Sequence, residues 1–213
     1  AGSIMRRIKH DDRAIVWGSG VISKDDIFAR PKKVLLVRGP ETRDRLHRLG
    51  YDTTDTFGDP AVILPTLYSP KVEKKYNIGI IPHYVDYPLI KQHEAAEDHL
   101  LVVDVTQDIS RVVEDILRCD RTISSSLHGV IVSHAYGIPC TWVRSINPLS
   151  GDGIKYADYF QSVNIKNQKP ADLQLQLATK DLEAIAADAF VPDMEHLKSN
   201  VLRTCPFPSG PSK

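Results

Sequence analysis

The stretch RTISSSLHGVIVSHAYGIPCTWV, residues 121–143, predicts a strand, a helix and a second strand in direct succession. Leu127, Val130 and Ile131 recur at the i, i+3 and i+4 spacing of a buried helix face, and the apolar run IPCTWV that follows suits a short buried strand. A helix that joins two buried strands is typical of a parallel sheet with helices packed on its faces.

The same alternation extends along the rest of the chain. Strands are predicted at residues 14–20, 33–40, 61–65, 77–84 and 100–105, and helices at residues 41–50, 87–98, 109–120 and 171–187. The pattern predicts an α/β protein with two Rossmann-like domains that face a cleft. Residues 1–75 are assigned to the later part of a first domain, residues 76–165 to a second domain, and residues 166–213 to C-terminal helices and a Pro-rich tail. The chain opens on AGSIMRRIKHDD without the usual signals of a domain start, so we expect the first domain to be incomplete at its N-terminus.

The composition excludes several classes of function. The 213 residues carry 27 basic and 27 acidic side chains, and a net charge of zero argues against bulk electrostatic binding to nucleic acid. The three cysteines, Cys119, Cys140 and Cys205, lack metal-ligand spacing and favour a reducing compartment. Neither a signal peptide nor a membrane-spanning apolar run is evident. We therefore predict a cytoplasmic protein that binds membranes at most peripherally and holds no metal.

Candidate binding residues follow the predicted strands. In open α/β sheets ligands bind beyond the carboxyl ends of the strands, so the residues just after each strand are the ones to consider. These positions are rich in glycine, hydroxyl and cationic side chains. They are Gly18, Gly20, Arg38, His83, Ser124, Ser125, Ser126, Leu127, His128, Gly129 and Arg144.

The start of the helix after residue 126 predicts a small anion site. Ser126 is a good N-cap, and a helix N-terminus carries a partial positive charge that attracts anions. His128 falls in the first turn, and a histidine can give or take a proton near neutral pH. Gly129 is predicted to let a ligand approach the backbone closely. His134, on the apolar side of the same helix, is assigned to the core.

Simpler interpretations of the same residues stay open. A serine-rich turn before a helix is common as a plain cap. Arg38 is equally compatible with a surface ion pair to Glu41 or Asp44.

Six motifs in order resemble the polysaccharide pyruvyl transferase family. They are VWGSGV, VRGPETRDRL, FGDPAVILP, GIIPHYVD, SSSLHGVIVSHAYGIPCTWV and KYADYF, and the resemblance covers about residues 3–162. The resemblance implies a fold similar to the two-domain GT-B glycosyltransferases. It also implies transfer of a pyruvyl group from phosphoenolpyruvate to sugar hydroxyls, with no cofactor beyond this donor substrate. Arg38 and His128 are then expected in the donor site, with His128 as the leading catalytic residue.

Two departures from the family pattern accompany the resemblance. Many members carry an arginine directly before Leu-His, where this chain has Ser126, so Arg144 or an upstream residue is expected to replace that cation. The glycine–acidic motif that usually opens the family is absent from the sequence. The resemblance further implies a saccharide acceptor, and a lipid-linked one at the inner face of the membrane is compatible with it.

Two alternative functions are left open by the residues. One is a glycosyltransferase of the same architecture that uses a nucleotide-sugar, since a diphosphate also suits cations and a helix N-terminus. The other is a non-catalytic glycan-binding domain that keeps the fold.

Overall fold

The computed structural model of the chain describes residues 2–10, 13–92, 98–173 and 179–207. Its strands are Ile15–Ser19 (β1), Lys33–Val37 (β2), Tyr76–Ile81 (β3), Leu100–Val102 (β4), Cys119–Ser124 (β5) and Cys140–Trp142 (β6). Its α-helices are Pro40–Arg48 (α1), Leu64–Leu67 (α2), Tyr87–Gln92 (α3), Ile109–Leu117 (α4), Leu127–Ala135 (α5), Ile154–Ser162 (α6), Thr179–Ala187 (α7) and Glu195–Arg203 (α8). The chain is therefore an α/β protein, as predicted.

The first compact unit combines Ala1–Ile63 with Ser150–Gln168 and Asp193–Lys213. Its sheet is the parallel pair β1–β2, and α6 packs against α1. Apolar side chains from the strands, the connection between them, α1 and the N-terminal segment form its core: Met5, Val16, Val21, Phe28, Val37 and Leu46.

The second compact unit combines Leu64–Leu149 with Lys169–Pro192. Its four parallel strands lie in the order β4-β3-β5-β6, the arrangement of a Rossmann-like sheet. Helices cover both faces, because β-strands buried on two sides need apolar partners on each. One face packs against α3 and α7 through Ile90, Leu182 and Ala186, and the other against α4 through Ile116.

The boundaries of these units differ from the predicted domains. Residues 150–168 join the first unit because α6 packs on α1, and the C-terminal helices divide between the units because α7 packs on β3, β5 and β6. The prediction that two Rossmann-like domains face a cleft stays a prediction.

The strand predicted at residues 61–65 is wrong. Pro60–Ile63 forms a 3₁₀ turn that continues into α2, and Val62 donates its backbone N–H to the carbonyl of Asp59 at 3.0 Å. The run AVIL is apolar because Val62 and Ile63 are buried, and periodicity cannot separate a short buried turn from a buried strand.

Two predicted helices extend partly outside the described residues. Of the helix predicted at 87–98, the structure describes α3, and residues 93–97 lie outside the described residues. Of the helix predicted at 171–187, it describes α7, whereas Ala171 forms a parallel bridge with Val143 instead of a helical turn. Residues 174–178 lie outside the described residues.

Among the described helices, none has the length and apolarity needed to cross a bilayer. The predicted cytoplasmic location stays a prediction.

The buried His134 of α5 makes the stability of the fold depend on pH. The side chain is 2% exposed, and burial lowers its pKa from 6.5 to about 4, despite hydrogen bonds with the backbone of Cys140 and Phe190. Between these values the unfolded chain binds a proton that the folded chain does not. The contribution of His134 to the unfolding free energy is therefore expected to be constant above pH 6.5. It should lower the unfolding free energy by about 3 kcal/mol as the pH drops to 4.

Urea unfolding at pH 7 and pH 4.5 measures this difference. In His134→Gln the pH-dependent part of the loss is expected to shrink, because the neutral amide has no proton to bind. An equal loss in the variant and the wild type would contradict the assignment.

Candidate active site

The carboxyl ends of β3 and β5 form a topological switch point. Strand β3 has β4 as its neighbour on one side within the sheet and β5 on the other, so the chain changes direction across the sheet after β4. Such a point opens a crevice beyond the strand ends, where open α/β sheets bind their ligands. The segments after the two strands are joined there, since the backbone N–H of His83 donates to Oγ of Ser125 at 2.9 Å.

The three serines at the end of β5 and directly after it make different hydrogen bonds. Oγ of Ser124 accepts from the N–H of Ser126 at 3.1 Å and lies 2.9 Å from the carbonyl oxygen of Ile81. Ser124 and Ser125 are buried, so their hydroxyls hold the turn together. Ser126 caps α5, because its Oγ accepts from the N–H of Gly129 at 3.4 Å. The predicted cap is confirmed, and the binding role of the serines stays a prediction.

Close packing at the start of α5 requires a glycine at position 129. A Cβ at this position would lie 2.3 Å from Oγ of Ser124 and 2.7 Å from Cγ2 of Ile81. Only glycine lets the first turn of α5 pack this closely on β3 and β5. The space that a Cβ would occupy is filled by Ser124 and Ile81, and the predicted binding role of Gly129 stays a prediction.

His128 occupies the exposed side of the α5 start. Leu127 and Gly129, on either side of it, are buried, whereas the His128 side chain is exposed. The partial positive charge of the helix N-terminus lies beside it. Among the four residues of this first turn, His128 is the one with a titratable side chain, so the turn presents an acid–base group next to an anion-attracting helix end.

Arg144 is the nearest cation in sequence after β6. Its backbone N–H donates to the carbonyl of Ala171 at 2.8 Å, and its Nε lies 2.9 Å from Oδ1 of Asp172. The Arg144 side chain is 66% exposed, so this ion pair is weak and open to competition by a stronger anion.

Asp86, which the sequence analysis missed, connects the segments after β3 and β6. Its buried carboxylate accepts from the backbone N–H groups of Ile146 and Asn147, each at 3.0 Å, and from the side chains of Ser145 and Asn147. Burial acts to raise the pKa of Asp86, but these hydrogen bonds outweigh it and hold the pKa below its ordinary value. Its position directly before α3 was the signal that could have identified it.

Asp86→Asn tests this connection. An amide nitrogen cannot accept the bonds that one carboxylate oxygen takes, so the variant is expected to lose about 2–3 kcal/mol of unfolding free energy at neutral pH. Because folding lowers the pKa of Asp86, the wild type should exceed the variant in unfolding free energy by the full amount above pH 3.8, the ordinary carboxyl pKa. This difference should disappear as the pH falls below that value.

Chemical denaturation at several pH values measures both effects. Asp104→Asn is the matched control, since the Asp104 carboxylate follows β4 and bonds within its own turn to Thr106. Equal losses for the two variants would contradict the role of Asp86.

Arg38, in the first unit, is enclosed by protein. The side chain is 0% exposed, and its Nε lies 3.0 Å from Oδ2 of Asp158, which is also 0% exposed. Its other nitrogens donate to Oγ of Ser3 and to the carbonyl of Val21, each at 2.8 Å. The alternative of a surface ion pair with Glu41 or Asp44 is therefore wrong, because the partner is a buried carboxylate of α6. The donor-site role of Arg38 stays a prediction.

The glycines of VWGSG are explained by packing in the same unit. A Cβ on Gly20 would lie 2.3 Å from Cζ of Arg38, so glycine makes room for the guanidinium. Gly18 has a φ of +72°, and a Cβ there would lie 2.2 Å from Cδ of Pro60. Their predicted binding role stays a prediction.

Lys155, within the motif KYADYF, is a largely buried cation of the first unit. It lies in the first turn of α6 and is 9% exposed. Burial lowers the pKa of Lys155 below its ordinary value, and the positive charge of Arg38 lowers it further. Within the described part of the chain it forms no ion pair, and its Nζ lies 5.1 Å from the centre of the Tyr156 ring.

The Asp158 carboxylate also holds the start of α1. It accepts from Arg38 and from Thr42, whose backbone N–H and hydroxyl donate to it at 3.0 and 2.7 Å. The buried guanidinium and carboxylate are therefore paired within the first unit.

No group of three or more His, Cys, Asp or Glu side chains in the described ranges is arranged to hold a metal ion. The expectation that neither metal nor cofactor takes part stays a prediction.

Comparisons with known proteins agree with the resemblance seen in the sequence. The family model for polysaccharide pyruvyl transferase matches residues 6–147. An uncharacterized protein of Acanthamoeba polyphaga mimivirus is 34% identical over 162 residues, which is 73% of this chain and 56% of the relative. The chain thus spans about half the length of that relative. No solved structure matches the chain significantly.

Proposed function

The chain belongs to the polysaccharide pyruvyl transferase family, and from this premise we propose that it transfers a pyruvyl group from phosphoenolpyruvate to saccharide hydroxyls to form a ketal. The observation that carries the proposal is the exposed His128 in the serine-capped first turn of α5, at the switch point of the sheet. The two-domain GT-B arrangement and a lipid-linked form of the acceptor are part of the same proposal.

The chemistry needs one proton donor and two proton acceptors. A proton added to the methylene carbon of phosphoenolpyruvate turns it into a methyl group and leaves an oxocarbenium-like carbon beside it. A first sugar hydroxyl attacks that carbon and loses its proton, and inorganic phosphate leaves with the electron pair of its C–O bond. A second hydroxyl attacks the same carbon, loses its proton and closes the ketal ring.

His128 is proposed to give the first proton and to take one back from an attacking hydroxyl. A histidine can do both near neutral pH, and general acid–base catalysis is most efficient there. The partial positive charge of the α5 N-terminus suits an anionic group of the donor. Arg144 is proposed as the cation that takes the place of the family arginine missing at Ser126, because its side chain is exposed and only weakly paired.

Arg144 has the charge that an anionic donor requires. Phosphoenolpyruvate carries a carboxylate and a phosphate, and both need cations when they leave water. Arg144 belongs to the same unit as His128, and its exposed ion pair with Asp172 is weak, so Arg144 is proposed to neutralise one of the donor's anionic groups.

Arg144→Ala separates this role from a structural one. The variant removes one partner of an ion pair that is exposed on both sides, so its unfolding free energy is expected to stay within about 1 kcal/mol of the wild-type value. Its affinity for phosphoenolpyruvate should fall at least about tenfold, the loss of one charge-assisted contact. Chemical denaturation and calorimetric titration measure the two quantities. Unchanged affinity in a stable variant would contradict the proposal.

The transfer itself is tested by incubating the protein with phosphoenolpyruvate and a mixture of neutral oligosaccharides. Release of phosphate that depends on the saccharide, together with a mass increase of one pyruvate less one water on the sugar, is the expected result. Phosphate release that does not depend on the saccharide, or transfer of sugar from a nucleotide-sugar instead, would contradict it.

A further inference from the structure

A pair of aromatic rings, of which Tyr84 is exposed and His83 half-buried, lies at the switch point after β3. The Tyr84 side chain is 60% exposed, and its ring centroid lies 4.6 Å from that of His83 with a tilt of 36°. The neighbouring Val85 is exposed as well. An aromatic ring that is stacked yet left open to solvent offers a large apolar face to a ligand.

The segment that carries this pair is held in place from several sides. Both backbone polar groups of His83 form hydrogen bonds. Its N–H donates to Oγ of Ser125 at 2.9 Å, and its carbonyl accepts from the N–H of Asp86 at 2.8 Å. The Asp86 carboxylate is itself fixed by the segment after β6. The rings therefore project from a pre-organised segment, as a binding surface requires.

The chemistry of the pair favours a neutral saccharide over the anionic donor. The face of an aromatic ring is electron-rich, so it repels carboxylate and phosphate groups. A sugar ring presents a face of C–H bonds with hydroxyls at its edge, which stacks on an aromatic face and leaves the hydroxyls in water. Tyrosine supplies such an area at a low cost in conformational entropy.

We propose that Tyr84, supported by the His83 ring, is the stacking platform for the saccharide acceptor. This inference rests on the proposed function, because it assigns the second substrate of that reaction. The same link of His83 to Ser125 places the platform beside the turn that leads into α5 and His128. Stacking there would bring the saccharide to the switch point where the exposed acid–base group lies.

Binding to an array of neutral oligosaccharides tests the platform. Tyr84→Ala is expected to weaken binding of the saccharides that the wild type retains by at least about tenfold, whereas Tyr84→Phe, which keeps the ring, should restore it. Leu67→Ala is the matched control, because Leu67 is a large exposed apolar side chain of the same unit, on α2. It should leave saccharide binding unchanged.

A titration with phosphoenolpyruvate separates this inference from the proposed function. Tyr84→Ala should bind the donor as the wild type does. The platform is overturned if Tyr84→Ala keeps full saccharide binding, or if the wild type retains no oligosaccharide. The donor proposal stands in either case, provided that the wild type binds phosphoenolpyruvate. If saccharide binding depends on the Tyr84 ring but phosphoenolpyruvate does not bind, the platform stands and the donor proposal fails.

Discussion

His128→Ala is expected to slow pyruvyl transfer by at least about a hundredfold, the usual contribution of a general acid. The physical reason is that protonation of the methylene carbon creates the reactive centre, and the alanine variant leaves this step to water. Because His128 is exposed, its removal creates no cavity, and the fold should keep its stability. The rate of saccharide-dependent phosphate release from phosphoenolpyruvate, compared with the unfolding free energy, measures both.

His47→Ala is the matched control for this experiment. His47 is also an exposed histidine on a helix, α1, and lies at no strand end. Its removal should leave the rate unchanged. A His128→Ala variant that transfers pyruvyl groups at nearly the wild-type rate would contradict the role of His128, and the acid would then have to be sought at His83.

Arg38→Ala is expected to lower the unfolding free energy by about 3–5 kcal/mol. Both partners of its ion pair are 0% exposed, so the variant leaves the Asp158 carboxylate buried without its counter-charge. It also removes the donors to Ser3 and Val21. Urea denaturation measures the loss.

Arg144→Ala provides the comparison, because it removes the same residue type from an ion pair that is exposed on both sides. That variant should lose less than about 1 kcal/mol. The double variant Arg38→Met/Asp158→Leu should recover much of the stability, since it removes both charges at once. Equal effects of Arg38→Ala and Arg144→Ala would contradict the buried ion pair.

The local elements of the second unit could be predicted from the sequence. The cap at Ser126 and the buried face of α5 follow from spacings within one helix, and the short apolar runs around it correctly indicated β3, β5 and β6. Alternation of strands and helices then implied a parallel sheet, and with it the edge at which the candidate residues lie.

The contacts between residues that are far apart in the sequence could not be predicted. Arg38 and Asp158 lie 120 positions apart, and Asp86 and Asn147 lie 61 apart. Periodicity in a window of about 11–18 residues contains no information about such pairs. For this reason the ion-pair alternative for Arg38 named only neighbouring carboxylates, Asp86 was missed, and the packing of Gly129 against Ser124 and Ile81 was not foreseen.

The central claim is that phosphoenolpyruvate is the donor, and calorimetric titration of the protein with phosphoenolpyruvate tests it most directly, with UDP-glucose titrated in parallel. The predicted result is saturable binding of phosphoenolpyruvate that weakens at least about tenfold in Arg144→Ala, with no binding of UDP-glucose. Saturable binding of UDP-glucose without binding of phosphoenolpyruvate would contradict the claim and favour a glycosyltransferase.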